Sequence, residues 1–171
     1  MSDLKGKMIA FEDPHSTSGY LLPKAALLQA GLQLTEYSDP TASVPADRVG
    51  YVFTRADDNT VFWVLRDRVT AGATSNLDLT EQAKDRESEL RVIDRTAPVP
   101  RQMVAHRPSM DSALVAAVSD VFTSMEADEE GQKVLQQFDK TTRFDQLPEN
   151  SEASLRAISD FANLVVADLP R

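Results

Sequence analysis

Short apolar runs alternate with stretches of helical periodicity over about the first half of the chain. Met8–Phe11 and Val49–Phe53 are compact apolar runs bounded by polar or turn-forming residues, which is typical of buried strands. We predict two more strands at Val69–Thr74 and Leu90–Asp94. This alternation predicts an α/β fold built on an open sheet with substantial parallel pairing.

Helical spacing of apolar residues follows several of these runs. The first helix is predicted over Tyr20–Ala30, with Gly31 as its C-terminal cap. Two further helices are predicted at Thr60–Arg66 and Leu79–Glu87. Thr35–Asp47 holds two prolines and small polar residues, so we predict a loop there.

The second half of the chain is predicted to be mainly helical. Thr96–Pro100 holds two prolines two positions apart, which favours an extended linker. Beyond it we predict one strand and then three helices, at Gln102–Ala105, Asp111–Met125, Asp128–Phe138 and Glu152–Asp168. The predicted organisation is an α/β lobe over residues 1–96, a linker over 97–101 and a further segment over 102–171.

Charge and composition exclude several classes of function. Asp and Glu number 27 against 18 Lys and Arg, and the net charge of -9 disfavours nucleic acid or an anionic membrane as partner. The chain has no cysteine, and its two histidines are about ninety positions apart, so we predict no metal site and no cofactor. The residues before Phe11 do not form a signal-peptide core, and no stretch approaches the roughly 20 apolar residues that span a bilayer.

One polar segment stands where the first strand passes into the first helix. It reads Ser16, Thr17, Ser18 and Gly19. Hydroxyls and the first N–H groups of a helix can converge on a tetrahedral oxyanion at such a place, where the helix dipole is positive. An ordinary N-terminal cap with Ser/Thr turn bonds explains the same residues more simply.

Two other polar segments follow predicted strands. Asp57, Asp58 and Asn59 come after the second strand, and Ser75 and Asn76 come after the third. Ligands of open α/β sheets bind at the carboxyl ends of the strands, so both segments are candidates for ligand contact. Helix capping is an equally good explanation for each residue.

The chain carries none of the signatures of common catalytic sites. It has no P-loop, no Gly-x-Ser-x-Gly elbow and no Gly-x-Gly-x-x-Gly turn. His15 and Ser16 are sequence neighbours, and such neighbours rarely present their side chains to each other as base and nucleophile. Asp57 and Asp58 are adjacent too, which disfavours an acid/base pair. We therefore predict no catalytic residues.

Three segments resemble one known family in the order in which they occur. Residues 4–23, LKGKMIAFEDPHSTSGYLLP, closely resemble the start of the second lobe of phosphate/phosphite/phosphonate ABC transporter periplasmic substrate-binding proteins. Asp58–Val61 and Ala71–Ala73 look like the family's second crevice loop and the strand that follows it. Leu90–Ile93, with Pro98 and Pro100, is similar to the crossing back to the first lobe.

The resemblance implies a fold, a function and a set of ligand residues. The fold is periplasmic-binding-protein-like (type II), with helices on both faces of the sheet and a helical C-terminal segment that belongs to the other lobe. The function is uptake of a small phosphonate- or phosphate-like oxyanion, without catalysis, in partnership with an ABC permease outside the cytoplasm. The implied ligand residues are Ser16, Thr17, Ser18, Gly19 and Tyr20 in the first loop, with Asp57, Asp58, Asn59, Ser75 and Asn76 in the neighbouring loops.

Two features depart from the family pattern. The family often places a histidine where this chain has Asp57, and a carboxylate there implies a less charged ligand or one accompanied by a cation. The first lobe is also missing, so residues 102–171 are expected to expose apolar surface and to favour self-association. A sensory or regulatory ligand-binding domain is the alternative function, and an enzyme acting on a phosphorylated small molecule is a further one.

Overall fold

The computed structural model of the chain describes residues 1–99, 102–138, 140–148 and 151–169. The side chains of Asp57 and Asp58 lie outside this description, as do Pro100 and Arg101 of the predicted linker. The chain forms two compact units, of which the first comprises Met1–Pro98 with Arg156–Arg171 and the second comprises Val99–Leu155.

The first unit is built on a four-stranded parallel sheet. Its strands are β1 (Met8–Phe11), β2 (Gln33–Glu36), β3 (Arg48–Phe53) and β4 (Ala71–Gly72). They lie in the order β2-β3-β1-β4, so β1 and β3 are central. All four residues of β1 are buried, as expected for a strand covered on both faces of a parallel sheet.

Helices cover both faces of this sheet. A π-helical turn, Thr17–Leu21, leads into α1 (Leu22–Gln29), whose Ala25 and Leu27 pack with Ile9 and Phe11 in the larger core. On the other face, α2 (Asp57–Leu65) contributes Trp63 and Val64 to a smaller core. The sheet architecture predicted from the alternation of strand and helix is therefore confirmed.

The end of the chain completes the first unit. Helix α3 (Asn76–Ala83) passes into a 3₁₀ turn, Lys84–Glu89. Helices α4 (Ser112–Ser124) and α5 (Glu129–Gln137) belong to the second unit, and the last helix described, α6 (Ser151–Ala167), places Val165 in the larger core. Its Phe161 packs against the same core.

One lysine of α1 is fully buried. Lys24 donates from Nζ to the hydroxyls of Tyr20 and Tyr51, each at 3.3 Å, and pairs with Oδ2 of Asp168 at 3.0 Å. Both tyrosine rings also lie within cation–π distance of its ammonium group. Burial, with Tyr20 and Glu36 nearby, raises the pKa of Tyr51 above its ordinary value, because the charged phenolate would lose its hydration.

The second unit contains α4 (Ser112–Ser124), a 3₁₀ turn at Met125–Ala127 and α5 (Glu129–Gln137). The ring of Phe144 lies 5.0 Å from that of Phe122 and 6.1 Å from that of Phe138, which ties the segment after α5 to both helices. Leu114, Val118 and Val121 leave an apolar face of α4 exposed. None of the helices that the structure describes is long and apolar enough to cross a membrane.

Several sequence predictions are wrong in detail. Leu90–Asp94 and Gln102–Ala105 are not strands, because neither segment pairs with a strand of the sheet. The strand predicted at Val69–Thr74 is reduced to β4, which pairs with β1 over two residues only. The predicted loop over Thr35–Asp47 begins inside β2, which hydrogen-bonds to the edge of β3.

The helices are confirmed, with shifted boundaries. Helix α2 starts at Asp57 rather than Thr60, and α3 starts at Asn76 and is shorter than the predicted Leu79–Glu87 helix. The chain continues from α3 as a 3₁₀ turn because Lys84 takes a positive φ of 46°, which an α-helix does not allow.

Candidate ligand-binding site

The carboxyl ends of the central strands bring three loops to one edge of the sheet. The amide of Thr54 donates to the carbonyl of Phe11 at 2.9 Å, and the amide of Arg55 donates to the carbonyl of Glu12 at 2.8 Å. On the other side of β1, the amide of Ala73 donates to the carbonyl of Ala10 at 3.0 Å. This edge is where open α/β sheets bind their ligands.

The first loop is a turn that closes on Glu12, and we call it the Ser16–Gly19 turn. Ser16 accepts a hydrogen bond at Oγ from the amide of Gly19 and donates its hydroxyl to Oε2 of Glu12, both at 2.9 Å. The amide of Glu12 donates back to the carbonyl of Gly19 at 3.2 Å. A Cβ on Gly19 would collide with the Glu12 side chain, so this close approach requires glycine.

Thr17 and Ser18 are the exposed members of the turn. Their hydroxyls and their amide N–H groups donate to no other residue within the described part of the chain. The first wide turn bonds the amide of Leu21 to the carbonyl of Ser16 at 3.0 Å, so the N–H groups of Thr17 and Ser18 precede the first helical hydrogen bond. These residues supply donors for an anion.

Tyr20 occupies the core rather than the surface of the site. Its ring lies 5.3 Å from that of Phe11 and 5.0 Å from that of Phe53, and its hydroxyl accepts from Lys24. Among the first-loop residues proposed from the sequence, the structure therefore brings Ser16, Thr17, Ser18 and Gly19 together and buries Tyr20 beneath them.

A cation that the sequence analysis missed stands beside the turn. Arg55 follows β3, is 68% exposed in its side chain, and lies with Nη1 3.8 Å from Oδ2 of Asp13. Its guanidinium also stacks on the ring of Phe53 at 5.4 Å. The only signal for it in the sequence was its place two residues after a predicted strand, which brings it level with Asp13 once β1 and β3 pair.

The second loop contributes mainly structural hydrogen bonds. Asn59 donates from Nδ2 to the carbonyl of Thr54 at 3.3 Å, and the hydroxyls of Thr54 and Thr60 lie 2.9 Å apart. Asp57 and Asp58 form the start of α2, and the contacts of their side chains lie outside the described part of the structure. Capping and turn closure account for Asn59.

The third loop also contributes mainly structural hydrogen bonds. Ser75 caps α3 by accepting from the amide of Asp78 at 3.0 Å, and Asn76 accepts from Nη1 of Arg95 at 2.6 Å. The hydroxyl of Thr74 is buried and has no hydrogen-bond partner among the residues that the structure describes, a feature that sequence reasoning did not identify. The capping explanation considered for Ser75 describes what its side chain does in this structure.

The groups at this edge of the sheet are mainly hydrogen-bond donors and acceptors. Ser16 gives its proton to Glu12 rather than to His15, so the neighbouring histidine does not act as its base. The part of the chain that the structure describes contains no cluster of three His, Asp or Glu side chains that would hold a metal ion. Exposed hydroxyls, helix-start N–H groups and a guanidinium together suit an oxyanion.

Comparison with known proteins identifies the family. A family model described as "ABC transporter, phosphonate, periplasmic substrate-binding protein" matches residues 1–151, whereas no curated protein matched the chain. XAC2383 from Xanthomonas citri, solved bound to chloride ion, is similar with a TM-score of 0.87 and 28% identity over 98% of this chain and 62% of that one. The same protein bound to ATP gives a TM-score of 0.85 and 28% identity, over 99% and 63% of the two chains.

The family model and the solved structures match different shares of the two chains. The chain spans less than two thirds of the XAC2383 chain, while the family model covers most of the present sequence. The resemblance first seen in the Ser16–Gly19 segment therefore extends well beyond that motif. The chain belongs to the family of phosphonate-binding periplasmic substrate-binding proteins of ABC transporters.

Proposed function

We propose that this chain provides the ligand-binding lobe of a solute-binding component of an ABC uptake system and takes an oxyanion of the phosphonate or phosphate class. It binds the ligand without transforming it. The observation that carries the proposal is the set of exposed donors on Thr17 and Ser18 at the carboxyl edge of the sheet.

The donors at the turn match a tetrahedral anion in number and in sign. Thr17 and Ser18 each offer a hydroxyl and an amide N–H, and both stand where the dipole of the following helix is positive. Arg55 adds a cation at the same edge of the sheet, where it pairs with Asp13, in a chain whose overall charge is -9. The ligands named for XAC2383, ATP and chloride, are both anions, which supports an anion site in its relative.

The remaining parts of the chain take the roles that the family suggests. Residues 1–96 form the binding lobe together with Arg156–Arg171, which belong to the same compact unit, whereas 97–101 act as the hinge and 102–155 return to another lobe. The exposed face of α4, formed by Leu114, Val118 and Val121, packs against that lobe or, without it, against a second copy. The protein works outside the cytoplasm and delivers its ligand to a permease.

Isothermal titration calorimetry with phosphate, methylphosphonate and ATP tests the binding proposal. Ser18→Ala and Thr17→Val each remove a hydroxyl, and we expect each to weaken binding roughly tenfold, since a hydrogen bond to a charged group contributes about 1.5–3 kcal/mol. Ser2→Ala is the control, because Ser2 is exposed and precedes β1 at the opposite edge of the sheet. Absence of binding for all three anions would refute the proposal.

The role of Arg55 has its own matched control. Arg55→Gln removes a cation stacked at 5.4 Å on Phe53, while Arg66→Gln removes one stacked at 5.6 Å on Phe62 at the far end of α2. We expect only the first change to weaken anion binding and to reduce its dependence on salt. Equal affinities for the two variants would remove Arg55 from the site.

A further inference from the structure

A carboxylate lies within the proposed anion site. Oε2 of Glu12 accepts the hydroxyl of Ser16 at 2.9 Å, and the same oxygen occupies the space that a Cβ on Gly19 would need. The amide of Glu12 is bonded to the carbonyl of Gly19, so the residue is attached to the turn through its backbone as well as its side chain. The carboxylate is therefore part of the turn that we propose to hold the ligand.

The direction of each hydrogen bond divides the turn into two halves. A serine hydroxyl has one proton, and Ser16 gives it to Glu12 while accepting from the amide of Gly19. Ser16 and Glu12 therefore offer only lone pairs to a ligand. Thr17 and Ser18, next along the chain, offer hydroxyl and amide donors.

We infer that Glu12 makes this site selective for a singly protonated phosphorus oxyanion, R–PO₃H⁻, an inference that rests on the proposed function. The charged oxygens of such a ligand accept from Thr17 and Ser18, and its P–OH group donates to the carboxylate of Glu12. That last bond is charge-assisted and therefore strong. A fully deprotonated dianion would instead set an oxygen lone pair against the carboxylate, which is repulsive.

This assignment also accounts for a carboxylate in an anion site. The sequence suggested such a repulsion at Asp57, whose side chain lies outside the described part of the structure, but Glu12 is the carboxylate that the geometry places against the turn. Of two ligands of similar shape, the carboxylate of Glu12 then favours the one that carries a proton on an oxygen.

The test is a comparison of methylphosphonate with sulfate, using the 171-residue chain at neutral pH in calorimetry. Both anions are tetrahedral, but sulfate carries no proton at neutral pH. We expect methylphosphonate to bind at least about tenfold more tightly, which is the effect of one mismatched hydrogen bond to a charged group. Glu12→Gln keeps the shape of the side chain and adds an N–H donor. It should therefore reduce the ratio of methylphosphonate affinity to sulfate affinity about tenfold, or invert it.

Asp13→Asn is the matched control, since it removes the same charge one position along from a side chain that bonds to the amide of His15 and to Arg55, and not to Ser16 or Gly19. It should shift both affinities in the same direction and leave their ratio unchanged. Equal binding of the two anions by the unmodified chain, or an equal change of ratio in both variants, overturns the inference and leaves the proposed function standing. Binding of neither anion overturns both. If Glu12→Gln does not fold, the ratio measured for the unmodified chain decides alone.

Discussion

The buried pair of Lys24 and Asp168 leads to a prediction about stability that separates charge from packing. The three N–H bonds of the lysine ammonium meet three acceptors, namely Asp168 at 3.0 Å and the hydroxyls of Tyr20 and Tyr51 at 3.3 Å. Asp168→Ala leaves the ammonium buried with two neutral acceptors. Removal of one partner of a buried pair costs about 3–5 kcal/mol.

Solvent access lowers this cost. The side chain of Asp168 is 28% exposed while that of Lys24 is 1% exposed, so water can replace part of the lost interaction. We therefore expect Asp168→Ala to lower the free energy of unfolding by about 2 kcal/mol. Lys24→Met removes the buried charge itself and keeps most of the volume, so its cost should stay within about 1 kcal/mol.

Urea denaturation followed by the fluorescence of Trp63 measures these effects, because Trp63 packs against the smaller core of the same unit. Asp160→Ala, on an exposed position of α6, is the control and should change the free energy of unfolding by less than about 0.5 kcal/mol. In the double variant, Lys24→Met should suppress most of the effect of Asp168→Ala. The reasoning fails if Lys24→Met costs more than Asp168→Ala, or if the two single effects simply add.

Three further predictions concern the turn, a tyrosine and a helix cap. Gly19→Ala should destabilise the chain by about 1–3 kcal/mol in thermal unfolding, because the new Cβ would lie 2.5 Å from that of Glu12. The raised pKa of Tyr51 means that the unfolded chain ionises first above about pH 10, so the free energy of unfolding should fall as pH rises from there, and less steeply in Tyr51→Phe. Asp128→Ala removes the acceptor for the amide of Gly131 at 2.8 Å and should lower the free energy of unfolding of α5 by about 1 kcal/mol. Thermal unfolding followed by circular dichroism measures this change.

The sequence was sufficient for the central strands and insufficient for the edges of the sheet. β1 and β3 are apolar runs that remain buried on both faces, so composition alone identifies them. β2 has one buried apolar residue, Leu34, and owes its conformation to pairing with β3. Leu90–Asp94 has the composition of a strand, but Val92 and Ile93 are each 49% exposed because no strand stands beside them. The local sequence pattern of a segment does not indicate whether a neighbouring strand is present to pair with it.

The same limit applies to the candidate site. The Ser16–Gly19 turn was visible in the sequence because its residues are contiguous and of one chemical kind. Arg55 was not, since it reaches the site only through the parallel register of β1 and β3. Lys24 was not either, because nothing local to α1 indicates that two tyrosines and a carboxylate from the last residues of the chain will surround it.

The role of Glu12 shows why a motif and a site are different things. The four residues of the motif predict donors, but one of their three hydroxyls does not donate to a ligand, because Ser16 donates its proton to a carboxylate outside the motif. Gly19 is needed at its position for the same reason, since any side chain there would displace that carboxylate from the turn. The glycine and the glutamate are therefore one feature. It follows that Gly19→Ala should disturb the choice between protonated and unprotonated anions as well as stability, whereas loss of the Ser18 hydroxyl should weaken both anions alike.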